Sequence, residues 1–489
     1  MTPTVVRPPI LLASALALAA CSIPPKPDLP PLRADAPLSG LAGDGQWPDP
    51  QWWKRYGDAQ LDALEERALA SAPALDEAQR RFDIALRSID VASAEGGLSA
   101  QGNAQVQRQR LSENGLIPPR FLGFTWYNQG DLSLQFKYDF DFWGKTRAAV
   151  EAAVDEAHAA AAERSAAELL VSSAVADTYF GWQGDQAHLA LARDTLAALE
   201  RSRALEEKRV QRGIDPPDAL HQSDAQIAAA REQEAGYAGA APVRLAALAA
   251  LIGVAPADIP PLAAKPLPAV DTQLPADLGT DLIARRPEVV ANRWRVESAL
   301  RRVDRARAAF YPDISLGALV GLQSVDLDKL FSAGSRMGGF GPALHLPLFA
   351  LGGLHAAYGV SQAQLAAAAS QYDASVVDAA RDVATQALGL RQLEARRSER
   401  ARQLAATEAL ERSAAARVRR GLADDRSLLA ARAQVLAQRD AMATLDAQAV
   451  AAELALTKAL GGGYRSDRDV PAGGTPAGSP PSTARADSR

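Results

Sequence analysis

The chain has few side chains that could form a covalent bond or hold a metal ion. Cys21 is the only cysteine among 489 residues, which excludes an internal disulfide and a cysteine-rich metal site. No arrangement resembles a nucleophile beside its base. The histidines lack the His-Glu-x-x-His spacing of a zinc site, and they stand at 158, 188, 221, 345 and 355. We therefore expect neither an enzyme nor a bound metal or cofactor, with the histidines at surface or inward-facing positions.

Cys21 instead stands where a bacterial export signal would end. A positive charge precedes an apolar stretch that is too short to span a bilayer as a helix. The sequence Leu18-Ala19-Ala20-Cys21 resembles a lipobox, which implies removal of residues 1–20 and attachment of lipid, including palmitate, to the thiol. By the same resemblance, Ser22 implies sorting to the outer membrane. The proline-rich segment 21–44 then predicts an extended lipidated tether. An ordinary signal peptide with a chance cysteine is the alternative.

Two Arg-Gly pairs mark the ends of long helical stretches. Gly213 and Gly421 can adopt the left-handed conformation that terminates a helix, and the preceding arginines, Arg212 and Arg420, suit the negative end of the helix dipole. Charged side chains follow the second pair, and they are Asp424, Asp425 and Arg426. Carboxylates are favoured at a helix N-terminus, so helix formation alone would explain their presence.

These two turns belong to a repeated chain. A shift of 208 residues places Arg212-Gly213 on Arg420-Gly421. A shift of 214 residues places Pro73 on Pro287, and the six-residue difference falls near the predicted strands, where loops tolerate a change of length. We predict two structural repeats of about 200 residues each.

Helical periodicity dominates both repeats. Residues 145–212 contain no proline and would form a helix about 100 Å long. The return segment 218–251 is half as long, and 277–310 supplies the other half. In the second repeat the long helix is predicted over 354–420, and its two short partners are 426–460 and 58–95. Helices of this length need partners for their apolar stripes along the whole length, as in coiled coils.

Four segments between the helices are predicted to be β-strands. Asp131–Phe142 alternates apolar and polar side chains, and 100–109 alternates small or apolar residues with glutamine and asparagine. The third strand begins near Ile314, and a weaker, glycine-rich fourth spans 339–348. Such strands fit a transmembrane barrel with apolar side chains outward and polar side chains toward the lumen. The predicted lumen residues are Gln101, Asn103, Gln105, Gln107, Ser133, Gln135 and Lys137.

The strand period alone would equally fit a soluble sandwich with one solvated face. The lipobox favours the barrel. No later segment contains an uninterrupted apolar run long enough for a membrane helix, so we expect any spanning structure to be a β-barrel. Four strands cannot close around water, whereas three copies supply twelve. A homotrimer is therefore the smallest assembly expected to leave a pore.

Several longer motifs occur together and in order between residues 45 and 462. They are Gln51-Trp52-Trp53, Gly57-Asp58, Asp141-Phe142-Trp143-Gly144-Lys145, Leu274-Pro275-Ala276-Asp277-Leu278, Arg285-Arg286-Pro287-Glu288-Val289 and Pro347-Leu348-Phe349 with Gly352-Gly353. These motifs resemble those of the TolC-like outer membrane factors, in the lipoprotein branch called NodT-type. The resemblance implies a mainly α-helical protomer with a transmembrane β-barrel: two repeats, four strands and long coiled-coil helices, assembled as a trimeric α/β-barrel channel.

The resemblance also divides the chain into segments. They are a signal peptide (1–20), a lipidated tether (21–44), a first helical segment (45–97), barrel strands one and two (98–142), a periplasmic helical hairpin (143–252), an equatorial linker (253–276), a second helical segment (277–311), barrel strands three and four (312–349), a second periplasmic hairpin (350–461) and a flexible C-terminal tail (462–489).

The function that this resemblance implies is that of a passive exit duct in a tripartite efflux system. The homotrimer would dock to a periplasmic adaptor and through it to an inner-membrane transporter, of the RND type. The tip that meets the adaptor would comprise Arg212, Gly213, Arg420 and Gly421, and the gate Asp424, Asp425 and Arg426. The alternatives are the channel of a type I protein secretion system and a lipid-anchored coiled-coil scaffold without a pore, which would have no use for polar lumen faces. The net charge of −5 argues against a nucleic-acid partner.

Overall fold

The described part of the chain forms one β-sheet from which long helices extend. The computed structural model describes residues 23–465 apart from 27, 39–40, 42, 115–117, 271–272, 277 and 348–349. The predicted signal peptide, Cys21 and residues 466–489 of the predicted tail lie outside the described residues.

The sheet is antiparallel, and its strands lie side by side in chain order. They are β1 (Gly97–Arg110), β2 (Trp126–Phe140), β3 (Asp313–Ser324) and β4 (Arg336–His345). Strand β2 starts at Trp126, whereas the sequence predicted a start at Asp131. Asn128 and Gly130 interrupt the apolar alternation without ending the ladder. Strand β4 likewise starts at Arg336 and not at 339, and it ends at His345.

The helices confirm the two-repeat fold predicted from the sequence. They are α1 (Ala59–Ser71), α2 (Pro73–Ala94), α3 (Lys145–Gln211), α4 (Asp218–Ile252), α5 (Leu278–Arg285), α6 (Pro287–Ala308), α7 (Leu351–Arg419) and α8 (Asp425–Ala459). Pro73 and Pro287 stand at the first positions of α2 and α6, where a missing N–H loses no helical hydrogen bond. The break between α1 and α2 in the first repeat therefore corresponds to the break between α5 and α6 in the second.

The order of the helices next to the sheet repeats the order of the strands. Since adjacent strands continue into adjacent helices, α2 packs on α3, α3 on α6, and α6 on α7. Farther from the sheet, α3 packs on both α4 and α8, and α8 packs on α7. We call this layer the helical wall. The predicted partnership of 58–95 with 354–420 is wrong within one chain, because the sheet order places α2 beside α3, at the opposite edge of the wall from α7.

The described part of the tether is bound to the second repeat along its length. Near the sheet, Arg307 Nε donates to the carbonyl of Pro24 at 3.0 Å, and the Tyr358 hydroxyl donates to the carbonyl of Pro25 at 2.9 Å. Farther along, the Tyr372 hydroxyl donates to the carbonyl of Arg33 at 3.1 Å. Ala36 is buried in the core that α5, α6 and α7 share. The tether is thus extended, as the sequence predicted, but it is not free.

The linker between the repeats is held to the middle of the helical wall by a polar network. Gln183 Oε1 accepts from the Lys265 backbone N–H at 2.7 Å, and Lys265 Nζ lies 2.7 Å from Asp58 Oδ1. The buried Tyr179 hydroxyl donates to Asp58 Oδ2 at 2.6 Å. Burial raises the pKa of Asp58, but the hydrogen bonds from Lys265 and Tyr179 outweigh it and keep the pKa below its usual value.

Helix α4 corrects one expectation about membrane segments. It is long and apolar enough to cross a bilayer by length and composition, although the sequence predicted no such segment after the export signal. Pro242 and Arg244 interrupt its apolar run, and Arg244 Nε donates to Asp185 Oδ2 of α3 at 2.8 Å. Helix α4 therefore belongs to the helical wall, yet only 17% of its most apolar stretch is buried within the chain.

Candidate functional site

One face of the sheet carries all seven predicted lumen residues. Gln101 pairs with Gln135 and Asn103 with Ser133 across β1 and β2, and Gln105, Gln107 and Lys137 lie on the same face of these strands. Side chains on this face also bond to each other along the strands: Ser133 Oγ donates to Asp131 Oδ1 at 3.0 Å. The polar groups are concentrated on β1 and β2. The residues that continue this face are Gly317, Leu319 and Gly321 on β3 and Met337, Gly339 and Gly341 on β4.

The opposite face of the same sheet is apolar and uncovered. The ladder from Ala100 through Phe136 and Ala318 ends at Phe340, whose side chain is 89% exposed. Aromatic side chains also lie where the sheet meets the helices. There the Trp143 ring stacks on Tyr311 at 4.6 Å, and Trp143 Nε1 donates to the carbonyl of Pro312 at 2.8 Å. An uncovered apolar face with an aromatic border is typical of a sheet that contacts lipid.

The two long helices end in equivalent glycine turns. Gly213 has φ of 68° and Gly421 has φ of 71°. In the first turn, the N–H of Ile214 donates to the carbonyl of Arg209, and in the second, the N–H of Leu422 donates to that of Arg417, each at 2.9 Å. Together with a shorter-range bond from each glycine N–H, these contacts form Schellman motifs. Arg212 and Arg420, which precede the two glycines, are both exposed.

A carboxylate that the sequence analysis did not select joins the two turns. Arg209 binds both oxygens of Asp215, with Nε–Oδ2 at 2.6 Å and Nη2–Oδ1 at 3.0 Å. Arg426 Nη1 of the second repeat lies 3.5 Å from the same Oδ2. The hydrogen bonds from Arg209, with the charge of Arg426 adding to them, hold the pKa of Asp215 below its usual range. In the sequence, Asp215 was indicated only by its position two residues after the Arg212-Gly213 pair.

The acidic residues selected from the sequence have a different local role. Asp424 caps α8, and its Oδ1 accepts from the N–H of Ser427 at 3.3 Å. Asp425 is the first residue of α8, and its side chain is exposed. Arg426 follows and is the member of this set that contacts the first repeat. The structure thus brings the two turns together through Asp215 and Arg426, with Asp424 and Asp425 beside them.

A buried carboxyl group lies in the middle of the protomer. Glu65 on α1 is fully buried, and neither carboxyl oxygen has a hydrogen-bond partner among the described residues. Burial raises its pKa to about 9, and the neighbouring Asp62 adds to this effect. Glu65 therefore carries a proton at neutral pH. Among the described residues, no group of three or more His, Cys, Asp or Glu side chains is placed to share a metal ion.

The chain is similar over most of its length to known outer membrane proteins. The outer membrane efflux protein family matches residues 64–254 and 278–462. The chain is 34% identical over 468 residues to the multidrug resistance outer membrane protein MdtP of Escherichia coli strain K12, covering 93% of this chain and 96% of that protein. It is 32% identical to MdtQ of Escherichia coli O157:H7 over 449 residues, covering 89% and 92%.

A solved structure shares the fold and a third of the sequence. The outer membrane protein VceC of Vibrio cholerae superposes with a TM-score of 0.76 at 33% identity, covering 86% of this chain and all of that one. Together with the two-faced sheet and the long helices, this likeness defines a channel of the bacterial outer membrane that extends into the periplasm. The chain belongs to the outer membrane efflux protein family.

Proposed function

We propose that three copies of this chain form one exit duct that conducts small molecules passively out of the cell. In the described sheet, β1 and β4 each have one edge without a partner strand. Lipid offers no hydrogen bonds to such edges, so β4 of one copy must pair with β1 of the next until the barrel closes. Three copies supply twelve strands. A barrel of about eight strands has an interior that side chains fill, so twelve strands leave room for a pore.

The helical wall requires the same closure. Helix α7 packs on α6 and α8 along one side, and α2 and α4 stand at the other edge of the wall. In a ring, α7 of one copy would contact α2 and α4 of the next copy. The partnership of 58–95 with 354–420 would then occur between copies, and the exposed apolar side of α4 would be covered.

The observation that carries the proposal is the contrast between the two faces of the sheet. Gln101 and Gln135 form a cross-strand pair on one face, and the neighbouring pair of Ala100 and Phe136 lies on the other. A ring with Phe136 toward lipid places the amides around a water-filled lumen. The wall of helices about 100 Å long would continue this lumen through the periplasm.

The lipid anchor is part of the proposal. Pro24 and Pro25 are bound by Arg307 and Tyr358 close to the sheet, and Cys21 is three residues before Pro24 in the chain. Three residues span at most about 11 Å. A lipid on Cys21 would therefore reach the leaflet at the periplasmic rim of the barrel. Replacing Cys21 with Ser should abolish labelling by radioactive palmitate, and unchanged labelling would contradict the anchor.

We also place the partners at the far end of the helices. The exposed Arg212-Gly213 and Arg420-Gly421 turns would meet a periplasmic adaptor, and the adaptor would connect the duct to an inner-membrane transporter of the RND type. The substrates would include drugs, since MdtP and MdtQ are multidrug resistance outer membrane proteins by name. Nearby, Asp215, Asp424, Asp425 and Arg426 would form the gate that closes the resting duct.

The proposal is tested by measuring assembly, conduction and efflux separately. Native mass spectrometry of the detergent-solubilised protein should give the mass of three chains, and planar bilayers should show discrete conductance steps. In a strain without its own efflux channels, the protein with its adaptor and pump should lower intracellular accumulation of a fluorescent drug. A monomer with an intact barrel spectrum would refute the trimer, and a trimer without conductance would refute the duct.

A further inference from the structure

The outward face of the sheet changes from apolar to cationic at one end. On β2, the face that carries Phe136 and Leu134 continues through Leu132 to Trp126. The register between β1 and β2 places Arg108 opposite Asn128 and Arg110 opposite Trp126, on this same outward face. The alternation on β1 is thus maintained, but arginines take the places of the last apolar residues.

Strand β4 adds a third arginine to the outward face at the same end. Arg336 pairs with Leu322 of β3, which itself pairs with Leu132 of β2. Arg336 is the first residue of β4, and Arg110 is the last residue of β1. Both therefore lie beside the connections between strands, at the end of the sheet that is remote from the helices.

These guanidinium groups are available for a ligand. The side chains of Arg108, Arg110 and Arg336 are exposed, and none of the three forms an ion pair with any carboxylate in the described part of the chain. The Arg108 guanidinium lies over the ring of Trp126 at 5.5 Å, which orients it along the outward face. Asp326, in the β3–β4 connection, is already paired with Lys329 at 2.9 Å.

Closure of the barrel would bring the three arginines together. Within one chain, Arg110 and Arg336 lie on opposite free edges of the sheet. In the proposed trimer, the edge of β4 pairs with the edge of β1 from the next copy, and both arginines lie at the same end of these antiparallel strands. Each junction between copies would then carry Arg336 from one protomer and Arg108 and Arg110 from the other. We call this group the arginine seam.

The depth of the arginine seam matches lipid head groups. From Phe140 to Leu132 the outward face of β2 spans about 27 Å along the strand, or about 21 Å of membrane depth at a strand tilt of about 40°, which is close to the height of the apolar band of a transmembrane barrel. Arg108 and Arg110 lie beyond Leu132, and the helices extend from the opposite end of the sheet into the periplasm. The seam therefore faces the outer leaflet, whose glycolipids carry phosphate groups.

We propose that each arginine seam binds the phosphate groups of a phosphorylated glycolipid in the outer leaflet, so that a trimer holds three such lipids. Guanidinium groups match phosphate oxygens with two parallel hydrogen bonds, and the exposed apolar residues below the seam contact the acyl chains. The inference rests on the proposed trimer, since one chain alone presents only parts of a seam.

The test is native mass spectrometry of the full-length protein in detergent, titrated with bisphosphorylated lipid A. We expect up to three lipid adducts on each trimer. The variant R108Q/R110Q/R336Q should bind at least about tenfold more weakly, because it loses three cations next to an anionic head group. The variant R108K/R110K/R336K keeps the charges but loses the paired donors, and it should bind more weakly than the wild type and more tightly than the glutamine variant. Lys329→Gln removes a cation from the adjacent connection, where Asp326 already pairs with it, and should bind like the wild type.

Two further lipids decide which chemistry is recognised. Lipid A stripped of its phosphates should lose binding as the glutamine variant does, and equal binding would overturn the proposal by showing that only acyl chains are held. Phosphatidylglycerol should bind more weakly, and equal binding would overturn the assignment to a glycolipid. The mass of the lipid-free protein reports the trimer separately. A trimer without selective adducts refutes the seam alone, and a monomer refutes the trimer on which both the duct and the seam rest.

Discussion

Arg426 Nη1 lies 3.5 Å from Asp215 Oδ2, which joins the start of α8 to the turn that ends α3. The same carboxylate is held by Arg209, so one anion serves two cations from different repeats. Arg426 was selected from the sequence as a gate residue. The structure gives it a partner within its own chain, so the two turns of one protomer can move as a unit.

Replacing Asp215 with Asn should loosen this unit. Arg209 and Arg426 would lose their shared anion, and although a single exposed ion pair contributes only about 0–1 kcal/mol, three protomers lose theirs together. We expect a larger resting conductance in planar bilayers. Glu411→Gln offers a control, since it removes a negative charge from α7 away from this contact. If Asp215→Asn left the resting conductance unchanged, closure would lie elsewhere along the helices.

The exposed acidic pair at the start of α8 should govern ion selectivity instead. Asp424→Ala combined with Asp425→Ala removes six negative charges from the tip of a trimer without breaking the contact between Asp215 and Arg426. We expect lower cation selectivity, measured as a shift of the reversal potential in a salt gradient. An unchanged reversal potential would show that both residues only stabilise the start of α8.

The two faces of β2 can be compared at neighbouring positions. Leu134→Lys places a charge on the lipid face, where it costs about 2–4 kcal/mol near the bilayer midplane, so assembly into heat-resistant trimers should fall. Gln135→Lys places the same charge on the lumen face and should assemble normally while changing the conductance. Equal behaviour of the two variants in gel-shift assays would show that the assignment of faces is wrong.

Glu65 should make stability depend on pH. Its pKa is about 9 in the folded protein against an ordinary value of 4.5. Between these values the unfolded chain loses the proton and the folded chain keeps it, so stability should fall as pH rises, by at most about 1.4 kcal/mol per pH unit. Glu65→Gln cannot ionise. We expect it to melt at a higher temperature than wild type at pH 8 and at a similar temperature at pH 5, followed by circular dichroism.

The neighbouring Glu66 provides the control for this experiment. Its side chain is 66% exposed and lies 3.9 Å from Lys54. Glu66→Gln should therefore melt with the pH profile of the wild type. If Glu65→Gln also kept the wild-type profile, Glu65 would have to be solvated or paired in the assembled protein.

The sequence predicted the helices, strands and turns of one protomer better than it predicted which of these elements pack together. Alternation fixed the faces of Leu134 and Gln135, and glycine chemistry located the turns at Gly213 and Gly421, because these signals are local. The partner of α7 could not be read in this way, since the order of packing follows from strand pairing between distant segments. Asp215 was missed for the same reason: its partner Arg426 is 211 positions away in the sequence and is brought near only by the packing of α3 and α8.

The equivalence of the two repeats has a consequence for symmetry. Each protomer ends in two glycine turns of the same backbone geometry but different side chains: Asp215-Pro216-Pro217 follows one, and Asp424-Asp425-Arg426 follows the other. A ring of three chains would thus present six hairpin ends that alternate between two types. The backbone of these ends would follow sixfold symmetry, and their side chains would follow threefold symmetry. A partner with sixfold symmetry must tolerate both types of end. A partner with threefold symmetry can distinguish them.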